Sequence, residues 1–118
     1  MPKTVIHVFH DDDASITTGT RVAQRIQEVA AEHGTTVEVL CFGPAQRLLA
    51  DAAPSGASEV FNRQVDELIA DGVTVGACVN AARTDGTEAG LAGRGLHLRV
   101  ARDEFLRFTL EGATVITF

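Results

Sequence analysis

The chain contains no tryptophan and no tyrosine, and Lys3 is the only lysine among its 118 residues. Without these aromatic rings it has no cage for a quaternary ammonium ligand and no platform on which nucleic-acid bases would stack. Nine arginines complete the positive charge, yet the formal net charge is −6. Because an acidic chain binds phosphate backbones and anionic lipid surfaces poorly, we expect neither nucleic acid nor a membrane as partner.

Cysteine and long apolar runs are also scarce. The two cysteines, Cys41 and Cys78, are too few for a disulfide scaffold. No stretch reaches the roughly 18 apolar residues of a membrane span. The first residues lead directly into a strand, without the charged and apolar regions of a signal peptide. We therefore expect a cytoplasmic protein with one domain over residues 1–118 and no bound cofactor.

Short β-branched runs alternate with segments of helical period along the whole chain. Strands are predicted at 4–9, 36–42, 73–78, 96–100 and 114–118. Helices are predicted between them, while the glycine-rich connection 86–95 is predicted to be a loop. Strands that are separated by helices form parallel crossovers. The predicted fold class is α/β, a single-domain three-layer α/β/α architecture with a mainly parallel five-stranded sheet.

Three helices have recognisable faces and ends. The first has Val22, Ile26, Val29 and Ala30 on one face and is closed by Gly34. A short helix begins at Pro44, which suits a first helical turn. The third is predicted to be capped by Ser58 and to bury the stripe Phe61, Val65, Leu68 and Ile69.

Candidate site residues follow from the rule that open α/β sheets bind ligands outside the carboxyl ends of their strands. Both cysteines fall on this edge, and so do the segments that follow the first four strands. From these segments we take as ligand-binding candidates His10, Asp11, Gly43, Pro44, Asn80, Arg83 and Arg102.

Cys78 is the candidate reactive residue because it lies where a strand ends and a helix begins. Backbone N–H groups at a helix N-terminus favour a thiolate over a thiol. Arg83 and Arg102 are possible charge partners. The alternative is a buried structural cysteine, as most free cysteines are. His97 is expected to face the sheet packing, which disfavours a cysteine–histidine hydrolase.

Cys41 lies one residue before the end of its strand. If its strand and that of Cys78 are neighbours, the two sulfurs can approach each other and form a redox-sensitive pair. With another strand between them, two spacings of about 4.8 Å would exceed the reach of a disulfide. Strand order decides between these alternatives.

The acidic turn Asp11-Asp12-Asp13 has two possible chemical interpretations, a magnesium site and the acidic cluster of a two-component receiver domain. A receiver needs a phosphoacceptor aspartate at the position of Cys78 and a lysine after a later strand, and the chain has neither. We therefore interpret the turn as a solvated segment that favours the N-terminus of the following helix, and we assign no metal ligand.

The order of several motifs resembles that of the DsrE/DsrF-like family of small sulfur-metabolism proteins. These motifs are the acidic turn after the first strand, Gly43-Pro44-Ala45-x-x-Leu48-Leu49, Asp71-Gly72-Val73 leading to Cys78, and the closing segment from Glu111 to Ile116. The segment Cys78-Val79-Asn80-Ala81-Ala82 is similar to the cysteine segment of DsrE and TusD sulfur-relay subunits. The resemblance covers nearly the whole chain.

This resemblance implies an α/β protein that assembles into a homo-oligomer, a trimer or hexamer. It implies that Cys78 carries a persulfide, received from a sulfur donor protein and passed to an acceptor as in a sulfurtransferase. The rival hypothesis is a non-catalytic oligomeric module whose strand-end pocket binds a small anion or metabolite, with Cys78 merely lining it.

Overall fold

Five strands form the central sheet of residues 2–118, the part of the chain that the computed structural model describes. They are β1 (Lys3–Val8), β2 (Thr36–Cys41), β3 (Val75–Cys78), β4 (His97–Arg99) and β5 (Thr114–Thr117). All pairings are parallel, and the order across the sheet is β4-β3-β2-β1-β5. The predicted α/β fold is confirmed, and the sheet, predicted to be mainly parallel, is parallel throughout.

Helices fill the connections between the strands. They are α1 (Asp13–Ala30), α2 (Pro44–Leu48), α3 (Ala57–Ala70), α4 (Val79–Asp85), α5 (Glu88–Gly93) and α6 (Ala101–Leu110). A 3-10 turn at Ala31–His33 continues α1 and ends at Gly34, whose left-handed φ of 64° suits glycine, as predicted. Among residues 2–118, no helix combines the length and apolar character that crossing a lipid bilayer requires.

The two faces of the sheet are covered unequally. The larger core lies against α1 and α3, where Ile16 and Phe61 pack with strand residues such as Val39. Burying each side chain of this kind contributes about 1.5–3 kcal/mol. The opposite face carries a smaller cluster in which Phe108 of α6 covers Val5 and Leu40. This second layer is thin, and at the edge of the same face His97 and Arg99 of β4 are exposed.

Ion pairs attach α6 to the sheet. The Arg107 side chain contacts the carboxylates of Glu38 on β2, Glu104 and Glu111, and its Nε lies 2.7 Å from Glu104. Lys3 adds bonds of 2.9 Å to Glu38 and 2.8 Å to Glu111. Glu38 and Glu104 are both buried. Their charges are therefore neutralised where α6 crosses the N-terminal half of the sheet.

Several predicted boundaries are wrong. The connection predicted as a loop over 86–95 contains α5, because Leu91 is buried in the main core and this packing outweighs the poor helix propensity of the glycines. Val29, which shares the predicted face of the first helix with Val22, Ile26 and Ala30, is 45% exposed. Ser58 lies inside α3, and its hydroxyl closes the preceding turn by bonding Ser55.

The third strand is shorter than predicted. It begins at Val75, because the backbone N–H of Val73 donates to the carbonyl of Leu68 and so belongs to the turn that ends α3. The fourth strand is likewise reduced to three residues, His97–Arg99. The carboxyl ends of both strands lie where they were predicted within one residue.

Candidate functional site

Cys78 is the last residue of β3 and the N-cap of α4, in extended conformation with φ −75° and ψ 121°. The side chain of Gln46, itself buried on α2, holds both polar groups of its backbone. The Cys78 N–H donates to Oε1 of Gln46 at 2.9 Å, and Nε2 of Gln46 donates to the Cys78 carbonyl at 2.9 Å. The position of the candidate reactive residue is thus fixed by a neighbouring crossover.

The two cysteines occupy different environments. In the β2–β3 ladder Cys41 pairs with Ala77, and Cys78 is the next residue, so the two side chains project from opposite faces of the sheet. Cys41 is fully buried in the main core, where burial raises its thiol pKa to about 12. Cys78 is 6% exposed on the other side. Although their strands are neighbours, the sheet separates the sulfurs and both thiols are free.

A groove runs along the open part of the sheet face, between α6 and the strands β3 and β4. Its volume is about 860 Å³. It is lined by Lys3, Glu38, Thr74, Val79, Arg83, His97, Leu98, Arg99, Val100, Asp103, Glu104 and Arg107. In a chain of net charge −6, this groove brings together four of the ten lysines and arginines.

A smaller cleft of about 170 Å³ separates α2 from α4. Gly43, Pro44 and Gln46 lie on one side of it, and an ion pair of 3.7 Å joins Arg47 to Asp85 across it. Gly43 has φ 64° and ψ −144°, and a Cβ there would lie 2.6 Å from the Phe9 ring atom Cδ1. Only glycine therefore fits this turn without displacing the ring.

The structure groups some of the predicted ligand-binding residues and separates others. Gly43 and Pro44 begin α2, while Asn80 and Arg83 lie on α4, and these two elements flank Cys78. Asn80 is exposed, and the Arg83 Nε donates to Glu88 at 3.0 Å.

The other candidates follow two other strands, β1 and β4. His10 and Asp11 are exposed in the turn after β1, which is two strands away from β3. Arg102 is exposed on α6, and its Nε donates to Asp103 at 2.9 Å.

The acidic turn has the structural role that the sequence indicates. Asp12 is the N-cap of α1 and accepts bonds from the backbone N–H of Ser15 at 3.1 Å and from its hydroxyl at 2.7 Å. These bonds to Ser15 lower the pKa of Asp12. Within residues 2–118 no group of three or more histidine, cysteine, aspartate or glutamate side chains is arranged to hold a metal ion.

A buried histidine lies on the same sheet face as Cys78. His7 is 7% exposed among Phe9, Phe42 and Phe105, whose ring centroids lie 5.0–6.3 Å from its own. Its Nδ1 is 3.1 Å from the Thr117 hydroxyl, and its Nε2 is buried and has no hydrogen-bond partner among residues 2–118. Burial, and to a smaller extent the charge of His10, lower its pKa.

The chain matches no family model and, in sequence, no curated protein. Its fold is found in solved structures. BT1422 of Bacteroides thetaiotaomicron, a conserved protein of unknown function, aligns with TM-score 0.73 and 14% identity over 99% of this chain and 94% of its own. MTH1491 of Methanobacterium thermoautotrophicum, also of unknown function, aligns with TM-score 0.75 and 19% identity over the full length of both. The ychN protein of E. coli aligns with TM-score 0.72 and 17% identity over 99% and 97%. At these identities the likeness establishes the fold alone.

Three residues of the site differ from the sequence-based expectation. Gln46 was missed, because a glutamine followed by Arg47 in a short helix gives no local sign that its amide is buried. Arg99 was missed as well. His97 was expected to face the packing but is exposed in the groove. The alternation His97-Leu98-Arg99 contains the signal, because only Leu98 packs against the main core.

Proposed function

We propose that this protein is a persulfide carrier of the DsrE/DsrF-like type and that Cys78 is the residue that bears the sulfur. The order of the sequence motifs supports this proposal, and the all-parallel fold is compatible with it. The same resemblance underlies our proposal of a cytoplasmic homo-oligomer, a trimer or hexamer, that exchanges sulfur with donor and acceptor proteins.

The observation that carries the proposal is the contrast between the two thiols. Cys41 is fully buried and its pKa is raised to about 12, so it stays a thiol at neutral pH. Cys78 lies at the carboxyl edge of the sheet, on the thinly covered face, with its peptide held by Gln46. Sulfur chemistry on this chain should therefore be confined to Cys78.

The chemical step needs only a thiolate and a donor persulfide. The Cys78 thiolate attacks the outer sulfur of R–S–SH, the donor S–S bond breaks, and R–S⁻ leaves while a new S–S bond forms in Cys78–S–SH. Neither oxidant nor reductant is consumed. Delivery to an acceptor thiolate repeats the step with Cys78 as the leaving thiolate.

Intact-protein mass spectrometry after incubation with a persulfide donor tests this function. We expect the wild-type protein and Cys41→Ser to gain about 32 Da, the mass of one sulfur atom, and Cys78→Ser to gain nothing. Cys41→Ser is the matched control because it removes the other thiol. Equal gain on wild type and Cys78→Ser, or gain on neither, would exclude the carrier role.

A second candidate function is the non-catalytic binding of a small ligand. The low exposure of Cys78 and the neighbouring groove of about 860 Å³ favour it. In that case Cys78→Ser should retain ligand affinity and no sulfur should be loaded. The mass measurement therefore separates the two functions.

A further inference from the structure

Arg99 is the cationic residue closest in register to Cys78. The β3–β4 ladder pairs Cys78 with Arg99, so their Cα atoms lie on adjacent strands, about 4.8 Å apart, with both side chains on the same face. His97, two residues earlier on β4, shares that face. Both Arg99 and His97 are exposed and line the groove.

Among the arginines that line the groove, Arg99 is the one that forms no ion pair with a carboxylate within residues 2–118. The groove carboxylates Glu38 and Glu104 are bound by Arg107, and Arg83 is bound to Glu88. The remaining acid of the groove, Asp103, is bound by Arg102 at 2.9 Å. Within residues 2–118, neither Arg99 nor His97 takes part in an ion pair.

We infer that the groove admits a low-molecular-weight persulfide that bears a carboxylate, and that Arg99 binds this carboxylate beside Cys78. The inference rests on the proposed function and adds a low-molecular-weight donor beside the donor proteins proposed above. A guanidinium binds a carboxylate through two parallel N–H···O bonds, which fixes orientation as well as position. The groove volume is sufficient for a small organic anion.

The transfer is the step already described, with the donor held at one end. The donor carboxylate stays on Arg99 while the Cys78 thiolate attacks the outer sulfur, and the leaving R–S⁻ departs with its carboxylate unchanged. Arg99 is thus a substrate-binding residue and takes no proton or sulfur. Its removal should change how much donor is needed for half-maximal loading and leave the maximal rate nearly unchanged.

A matched pair of donors tests this assignment. N-acetylcysteine persulfide and its methyl ester persulfide have the same reacting sulfurs and differ in one carboxylate. We measure the rate of the one-sulfur mass gain on Cys78 against donor concentration for wild type, Arg99→Gln and Arg63→Gln. Arg63 is a suitable control because it is an exposed arginine on α3, on the other side of the sheet.

We expect Arg99→Gln to raise the half-saturating concentration of the acid about tenfold and to leave that of the ester unchanged, as loss of one charge-assisted contact would. Arg63→Gln should behave as wild type with both donors. Equal use of acid and ester by wild type, or no effect of Arg99→Gln, would overturn the groove assignment while Cys78 still loads. Absence of loading from both donors would instead overturn the proposed function.

Discussion

The bond between Gln46 and the Cys78 peptide gives the sharpest test of how the site is built. Gln46→Met keeps the length and most of the volume of the side chain, so the substitution leaves little cavity. It removes both hydrogen bonds of 2.9 Å to Cys78. The substitution therefore removes the side-chain partner of two buried backbone groups, the N–H and the carbonyl of Cys78.

The magnitude follows from the two groups separately. The Cys78 N–H loses the bond that it makes to Gln46, and an unsatisfied buried donor costs about 1–3 kcal/mol. The Cys78 carbonyl loses less, because an N-cap carbonyl also accepts the first hydrogen bond of its helix. We expect Gln46→Met to lower the free energy of unfolding by about 2–3 kcal/mol, a large part of the roughly 5–15 kcal/mol of a typical domain.

Urea unfolding, followed by circular dichroism, measures this loss. The midpoint should fall while the slope of free energy against urea stays constant, because the surface exposed on unfolding is the same. Gln24→Met is the matched control, since Gln24 makes its bond of 2.8 Å to Glu67 at the surface. We expect that variant to stay within about 0.5 kcal/mol of wild type.

Amide hydrogen exchange locates the effect. In Gln46→Met the Cys78 amide should exchange faster than in wild type, and by more than the global loss of stability explains. If Gln46→Met were no more destabilising than Gln24→Met and left the exchange of this amide unchanged, our account of the site would be wrong. The Cys78 peptide would then be held by its strand and helix alone.

Two further predictions concern the same face of the sheet. Burial lowers the pKa of His7, so near pH 6.5 the unfolded chain binds a proton that the folded state does not. The free energy of unfolding should therefore be constant well above pH 6.5 and fall as the pH drops through that value. In urea unfolding between about pH 7.5 and about pH 5.5, His7→Leu should lose less stability than wild type, and equal losses would contradict this assignment. Arg107→Met should cost about 1–2 kcal/mol, a value discounted for the partial exposure of Arg107, because Glu38 keeps only Lys3 and Glu104 keeps no cation. Adding Glu104→Gln should recover part of this loss, and strictly additive costs in the same unfolding assay would show that the two residues are not coupled.

Local patterns predicted the elements correctly wherever one residue type decides the local geometry. Pro44 begins α2, Gly34 ends the first helical segment, and Asp12 caps α1 as the acidic turn indicated. The failures lie where packing overrides propensity. Burial of Leu91 in the core stabilises α5 in a glycine-rich segment. Val29 is exposed although its spacing fits the buried face of α1.

The site could be predicted only in part for the same reason. The strand-to-helix transition at Cys78 was visible as a β-branched run followed by an alanine-rich segment, and the structure has it at that residue. The alternation on the fourth strand placed Arg99 on the same face as His97, but the register that pairs Arg99 with Cys78 came only from the structure. The contact of Gln46 with Cys78 was not visible either, because it comes from a different crossover. Arg83 and Arg102, the charge partners expected at this edge of the sheet, are bound to Glu88 and Asp103.

The sequence by itself determined the alternation of strands and helices, and with it a parallel sheet whose carboxyl edge carries Cys78, because hydrophobic period and turn residues act over a few positions. Only the tertiary structure decided the strand order, which makes the strands of Cys41 and Cys78 neighbours, and the register, which turns their sulfurs to opposite faces. Register and order depend on contacts between residues that are far apart along the chain, and no local pattern encodes them. The tertiary structure also decided that Arg99 has no carboxylate partner within residues 2–118, because the nearby acids pair with other arginines in the folded protein.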